Sequence, residues 1–166
     1  MSRVPLPTAA LALTAALLIL NACSTPPQPQ TPTAYPPDFA AAFLIRHPSP
    51  TPDTPRSLRP SLTLIEPDRT LRAATGPGTH LGLYPPPSAR LHPQSLAQLY
   101  QLAVAAGLLA DATPTAISPE TYPTLSARIT AHNRVHRQTV PLSPDHPHAL
   151  SLAQTLVDLR TGRSDR

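Results

Sequence analysis

The chain has 166 residues with a formal charge of +4, 25 Pro, 5 Gly, one Cys and only 4% aromatic residues. That length suits one domain, and a single Cys excludes an internal disulfide and any CxxC metal or redox site. The basic residues are all Arg and outnumber the acids by only 13 to 9, too thin an excess to point to a nucleic-acid partner.

Residues 1–22 read as a secretion signal. Arg3 supplies the positive start, and Ala9 to Leu20 form an apolar run free of charge, with Thr14 its one polar residue. The run is shorter than the roughly 20 residues that span a bilayer but matches the core of a signal peptide. It ends in Leu20-Asn21-Ala22-Cys23. An aliphatic residue at −3, a small one at −1 and Cys at +1 resemble the lipobox of bacterial lipoproteins, with Asn21 departing from the small residue usual at −2. The resemblance implies cleavage before Cys23 by signal peptidase II, diacylglycerol on its thiol and an acyl group such as palmitate on its new amine. Two or more acyl chains anchor stably where one does not. Ser24 at +2, in place of Asp, resembles lipoproteins sent to the outer membrane. The expected location is therefore the bacterial cell envelope, facing the periplasm or the exterior, with the outer membrane favoured over the inner.

Residues 23–38 combine the lipidated Cys with a tether. Ser24 to Asp38 carries six Pro, which fix φ and remove donors, so the segment is expected to be extended and solvated. At about 3.1 Å per residue it reaches roughly 45 Å.

Residues 39–160 are expected to form one small domain. Phe39 to Arg46 reads as a first strand, and the Pro-rich stretch from His47 to Pro60 as a loop. Leu62–Glu66 and Thr70–Ala74 flank Pro67-Asp68-Arg69, the composition of a hairpin turn. A loop from Gly76 to Pro87 leads to a helix opened by Pro93, with Leu96, Leu99, Tyr100, Ala103 and Ala106 at helical spacing and Gly107 as its stop. His92 before it is a poorer N-cap than Ser or Asp. The order then repeats. Leu125–Ala131 and Val135–Val140 flank His132-Asn133-Arg134, and a helix opened by Pro147 carries Leu150, Leu152, Leu156 and Leu159 before Gly162. Residues 161–166 read as a disordered tail.

The expected architecture is α+β: a small antiparallel sheet with two helices packed on one face, in the order β-(ββα)-(ββα). That layout, with a helix ending in Ala-Gly-Leu before a charged hairpin, weakly resembles small emfourin-like domains. The resemblance implies protease inhibition as a functional alternative and transfers no inhibitory residue.

Chemistry is sparse. His132 and His136 have the i, i+4 spacing of two ligands on a helix, but on a hairpin they would face each other across the strands. His146 and His148 sit beside Asp145 at a helix start. These four are the candidate metal-facing residues, against a reading as ordinary polar residues of a turn and a helix start. No GxSxG surrounds Ser88, Ser95, Ser118 or Ser126, and the two Glu, Glu66 and Glu120, fall in loops or turns. Gly76-Pro77-Gly78 lacks the Lys of a phosphate-binding loop. The expectation is a non-catalytic binding or structural module without cofactor. It is held to the membrane by its lipid, and an envelope protein is its possible partner. Metal-handling or hydrolytic lipoprotein is the competing class.

Overall fold

The computed structural model describes residues 35–111 and 122–162. The signal segment, Cys23, most of the tether and the last residues of the tail lie outside the described residues. Strands β1 (Ala40–Arg46), β2 (Ser61–Ile65), β3 (Thr70–Thr75) and β4 (Pro87–Arg90) precede helix α1 (Pro93–Ala105); β5 (Thr124–Ala131) and β6 (Arg134–Pro141) precede helix α2 (Pro147–Thr161). All strands join one antiparallel sheet in the order β4-β3-β2-β1-β5-β6, so the two hairpins flank β1 on opposite sides.

The α+β class holds, but the sheet has one strand more than expected. Part of the supposed Gly76–Pro87 loop and the residues after it supply β4, and the order becomes β-(βββα)-(ββα). The four residues of β4 are all exposed and offer no apolar alternation. It opens with Pro, which cannot donate to a ladder and is tolerated where an edge strand begins. Tertiary contacts hold it: Leu71↔Ala89 and Thr70↔Arg90 pair, a register shift follows at Arg72, and Ser88 Oγ donates to the Leu71 carbonyl at 3.0 Å.

Alternation along the strands divides the sheet into two faces. Phe43 and Ile45 of β1, Ile65, Leu71, Leu125 and Ile129 point to the helices. They pack there against Leu96, Leu99 and Ala103 of α1 and Leu152, Leu156 and Leu159 of α2. Leu44 and Leu62 are cross-strand partners on the opposite face, and they too are buried, at 1% and 0% exposure. The loop between β3 and β4 folds back over that face. Arg72 Nη1 donates to the Pro85 carbonyl at 3.1 Å, and its guanidinium lies 4.2 Å from the Tyr84 ring centre. The Tyr84 hydroxyl donates to Glu66, whose other oxygen lies 3.2 Å from Arg72 Nε.

The helix ends follow local chemistry. Pro93 occupies the first turn of α1, and His92 does serve as its N-cap, accepting from the Gln94 amide through Nδ1 at 3.3 Å. At the other end Gly107 adopts φ +72°, donating to the Val104 carbonyl while Leu108 donates to Ala103. These two bonds make a Schellman motif, and Leu108 is fully buried beneath it. Gly162 closes α2 in the same left-handed region.

The folded part begins before β1. The Tyr35 and Phe39 rings lie 6.4 Å apart, and Phe39 meets Tyr100 of α1 edge to face at 5.3 Å. Between them, Asp38 reaches the β5–β6 turn. That turn has two residues, His132 at φ +53° and Asn133 at φ +59°, the pair of positive angles of a type I′ hairpin. Asp38 accepts from both turn amides, at 3.0 Å from His132 and 2.6 Å from Asn133. The Asn133 amide is the main reason its carboxyl sits below the ordinary 3.8; desolvation opposes this and the His132 amide adds to it.

A carboxyl with a depressed folded-state pKa contributes stability that is fully present above the unfolded value. That contribution fades as pH falls through the folded value. Asp38→Asn is therefore expected to unfold at lower urea than the parent at neutral pH. The gap should narrow below the ordinary carboxylate pKa, read as two urea titrations at each pH.

Candidate functional site

The face of the sheet away from the helices carries a group of arginines. The register sets Arg128 of β5 directly opposite Arg137 of β6, and Arg46 of β1 opposite Thr124. All three Arg are exposed. None of them has an ion pair or hydrogen bond among the described residues. Like charges placed directly across two strands repel, so this arrangement is an electrostatic cost with no counterion among the described residues.

A shallow groove of about 350 Å³ runs between these Arg, with Leu44 and Leu81 in its wall and Ser126 and Thr139 beside them. The two hydroxyls are cross-strand partners 3.0 Å apart. Guanidinium groups flanking hydroxyls over an apolar floor can take carboxylates, bidentate where the planar fork allows.

The groove adjoins β6, the last strand of the sheet among the described residues. β6 has eight residues and is the last strand on its side, with Val135 half exposed. The opposite edge is blunted by the four-residue, Pro-initiated β4. A terminal strand of that length, unpaired on its outer side among the described residues, can receive an extended segment of another chain through main-chain hydrogen bonds. Near its start, Arg134 and His136 lie 3.4 and 3.8 Å from Asp111. On the helix side, Gln138 Nε2 donates to the Ala110 carbonyl at 2.9 Å.

The four His singled out in the sequence occupy separate settings. His132 is in the two-residue turn, its Nε2 3.3 Å from the Tyr100 hydroxyl. His136 is on β6 opposite Ile129 and pairs with Asp111, so the two do not face each other across the hairpin. The reason is the turn: the ladder ends at the Ala131–Arg134 pair, so His132 stands at the tip with no cross-strand partner. His146 precedes α2 and meets Ser143 Oγ at 3.2 Å. His148 is exposed in the first turn of that helix, with both near a small crevice beside Asp145. Among the described residues no three His, Cys, Asp or Glu come together in a way that could hold a metal ion. Cys23 lies outside the described residues, as do Ser118 and Glu120.

The Arg face was not visible as a cluster in the sequence, because β2, β3, β4 and α1 separate Arg46 from Arg128, and the β5–β6 turn separates Arg128 from Arg137. A two-residue turn at His132-Asn133 would have revealed it. With Arg134 counted in the turn, Arg128 pairs with Gln138; with Arg134 on the strand, it pairs with Arg137. No protein-family model and no curated protein matches this chain. No helix of the described residues is long and apolar enough to cross a membrane.

Proposed function

We propose that the chain is a lipid-anchored lipoprotein of the bacterial envelope whose folded part is a non-catalytic binding module. The module takes an extended, acidic segment of an envelope protein along β6, with the segment's carboxylates on Arg128, Arg137 and Arg46. The observation that carries this reading is the Arg128–Arg137 pair, without a counterion among the described residues, beside β6, the last strand of the sheet among those residues. A carboxylate brought between the two guanidinium groups replaces repulsion with charge-assisted hydrogen bonds. The anchor half rests on Leu20-Asn21-Ala22-Cys23 after an apolar run of signal-peptide length. In this reading the Pro-rich segment holds the module away from the bilayer.

Cys23→Ala is expected to abolish lipid labelling and shift the protein out of the membrane pellet in fractionated cells. A variant that still pellets and still takes label would refute the anchor. In the same cells, Arg128→Glu with Arg137→Glu should leave fractionation unchanged and remove envelope proteins cross-linked to the parent. Unchanged cross-linking would refute the Arg face as the binding surface.

A further inference from the structure

A second concavity lies on another part of the domain and has a different character. It is a cleft of about 580 Å³ between the Pro-rich 50–60 loop, the start of β2, the end of β3 and the last turn of α2. Asp38, where the described chain enters the sheet, is at the hairpin-turn end of the strands; Ser61 and Thr75 are cross-strand partners at the other end. The cleft therefore opens at the pole of the sheet farthest from that entry.

Its walls are apolar where Pro50, Pro60, Pro77 and Val157 line it, and its polar groups are cationic or hydroxylic. Among the described residues no Asp or Glu lines it; Asp53 lies on the same loop outside the lining. Two of its polar atoms are buried without a hydrogen-bond partner, Ser61 Oγ and Arg160 Nη1. Ser61 is 2% exposed. A buried donor left unmade is destabilising, and such groups are rare enough in folded proteins to call for an explanation.

The arginines are held in different ways. Arg160 is fixed by its own helix, Nε donating to the Leu156 carbonyl at 3.1 Å, and its Nη1 is left over. Burial lowers its pKa from the ordinary value, but a guanidinium stays charged. Arg59 pins the loop by donating to the Thr54 and Pro52 carbonyls. Arg56, in the short 3-10 turn Arg56–Leu58, is exposed at the rim, and its side chain has no partner among the described residues. Positive charge and unmet hydrogen bonding thus stand beside a proline-lined apolar wall, with no carboxylate lining the cleft among the described residues.

We infer that this cleft binds an amphiphilic anion, an acidic headgroup on a single apolar chain. The headgroup lies against Arg160 Nη1, Ser61 Oγ and Arg56, and the chain lies along Pro50, Pro60, Pro77 and Val157. The volume is in the range of small-molecule sites, and a mostly apolar lining with a few placed polar groups is their usual make-up. A carboxylate and a phosphate monoester share the needed chemistry. The inference does not rest on the lipid anchor or on the Arg face of the sheet.

The test is titration of the purified full chain, followed by calorimetry, with four probes below their micelle concentrations: dodecanoate, dodecyl phosphate, dodecyltrimethylammonium and inorganic phosphate. One or both of the anionic amphiphiles should bind saturably, at least about tenfold tighter than the cation of equal chain length, and the tighter one identifies the headgroup. Inorganic phosphate should bind at least tenfold more weakly than dodecyl phosphate, because it leaves the apolar wall uncovered. Arg160→Gln should weaken the preferred probe at least tenfold. Should that variant fold poorly, Arg56→Gln, at an exposed position without partners, should still weaken it severalfold with an unchanged melting temperature. Equal binding of the cationic and anionic amphiphiles, no binding of either anionic amphiphile, or insensitivity to Arg56→Gln would overturn the assignment.

Discussion

Phe43→Ala is expected to remove about 3–5 kcal/mol of folding stability, the largest loss of any single truncation in the domain. Phe43 is 1% exposed on β1, the strand against which both hairpins pair. Its cross-strand neighbours on the same face are Thr63 of β2 and Ala127 of β5. Both are small, so the ring supplies most of the bulk between the centre of the sheet and the helices. Deleting it leaves a void that short neighbours on hydrogen-bonded strands cannot close, so the cavity cost adds to the lost transfer energy. Domains of this size are stable by only about 5–15 kcal/mol in total. Equilibrium urea denaturation should therefore show a large fall in midpoint with little change in slope. A loss under about 1 kcal/mol would place Phe43 outside the core.

Leu62→Ala tests the less obvious half of the packing, with an expected cost of about 2–5 kcal/mol. A sheet covered by helices on one side ordinarily leaves its other side to water. Here Leu62 is fully buried on that other side, paired with Leu44. The β3–β4 loop is drawn back over that face by Arg72, Tyr84 and Pro85. The substitution should destabilise the domain and also loosen this loop, seen as faster amide exchange around Leu81–Pro85. A cost near that of an exposed position, roughly 0.5 kcal/mol or less, would mean that the loop stands away from the sheet. Tyr84→Ala should cost less than Leu62→Ala, because the Tyr84 ring is largely exposed and gives up only its contacts with Arg72 and Glu66.

Much of this fold was legible in the residues. The Leu96, Leu99 and Ala103 spacing, closed by Gly107, specified the buried stripe of α1, and Leu152, Leu156 and Leu159 did the same for α2. Pro67-Asp68-Arg69 marked a turn, and Arg69 does take the left-handed angle at φ +73° that Gly would adopt most easily. Asp68 compensates by accepting from the Thr70 amide and hydroxyl. Phe43, Leu44 and Ile45 in β1 and Leu62, Thr63 and Ile65 in β2 are buried whichever face they take, so the centre of the sheet is covered on both sides.

What was not legible depends on partners distant in sequence. Strand β4 has no pattern of its own and exists because β3 offers it a ladder. The Arg face appears only when the turn at His132-Asn133 is given two residues, since a one-residue change slips the register of β6. That turn is stabilised by Asp38, more than ninety residues earlier in the chain. The cleft at the far pole likewise gathers Arg56, Ser61 and Arg160 from three elements. The four His, conspicuous on composition, are dispersed by the same topology that brings the Arg together.

The account stands or falls first on Cys23, because an envelope binding module needs its anchor. The most direct measurement is the intact mass and N-terminal sequence of the protein extracted from the membrane fraction of a bacterium expressing the full chain. The account predicts a mature chain beginning at Cys23, carrying a diacylglyceryl thioether and an amide-linked acyl group. A chain that retains residues 1–22, begins at another residue, or carries Cys23 as a free thiol would contradict it.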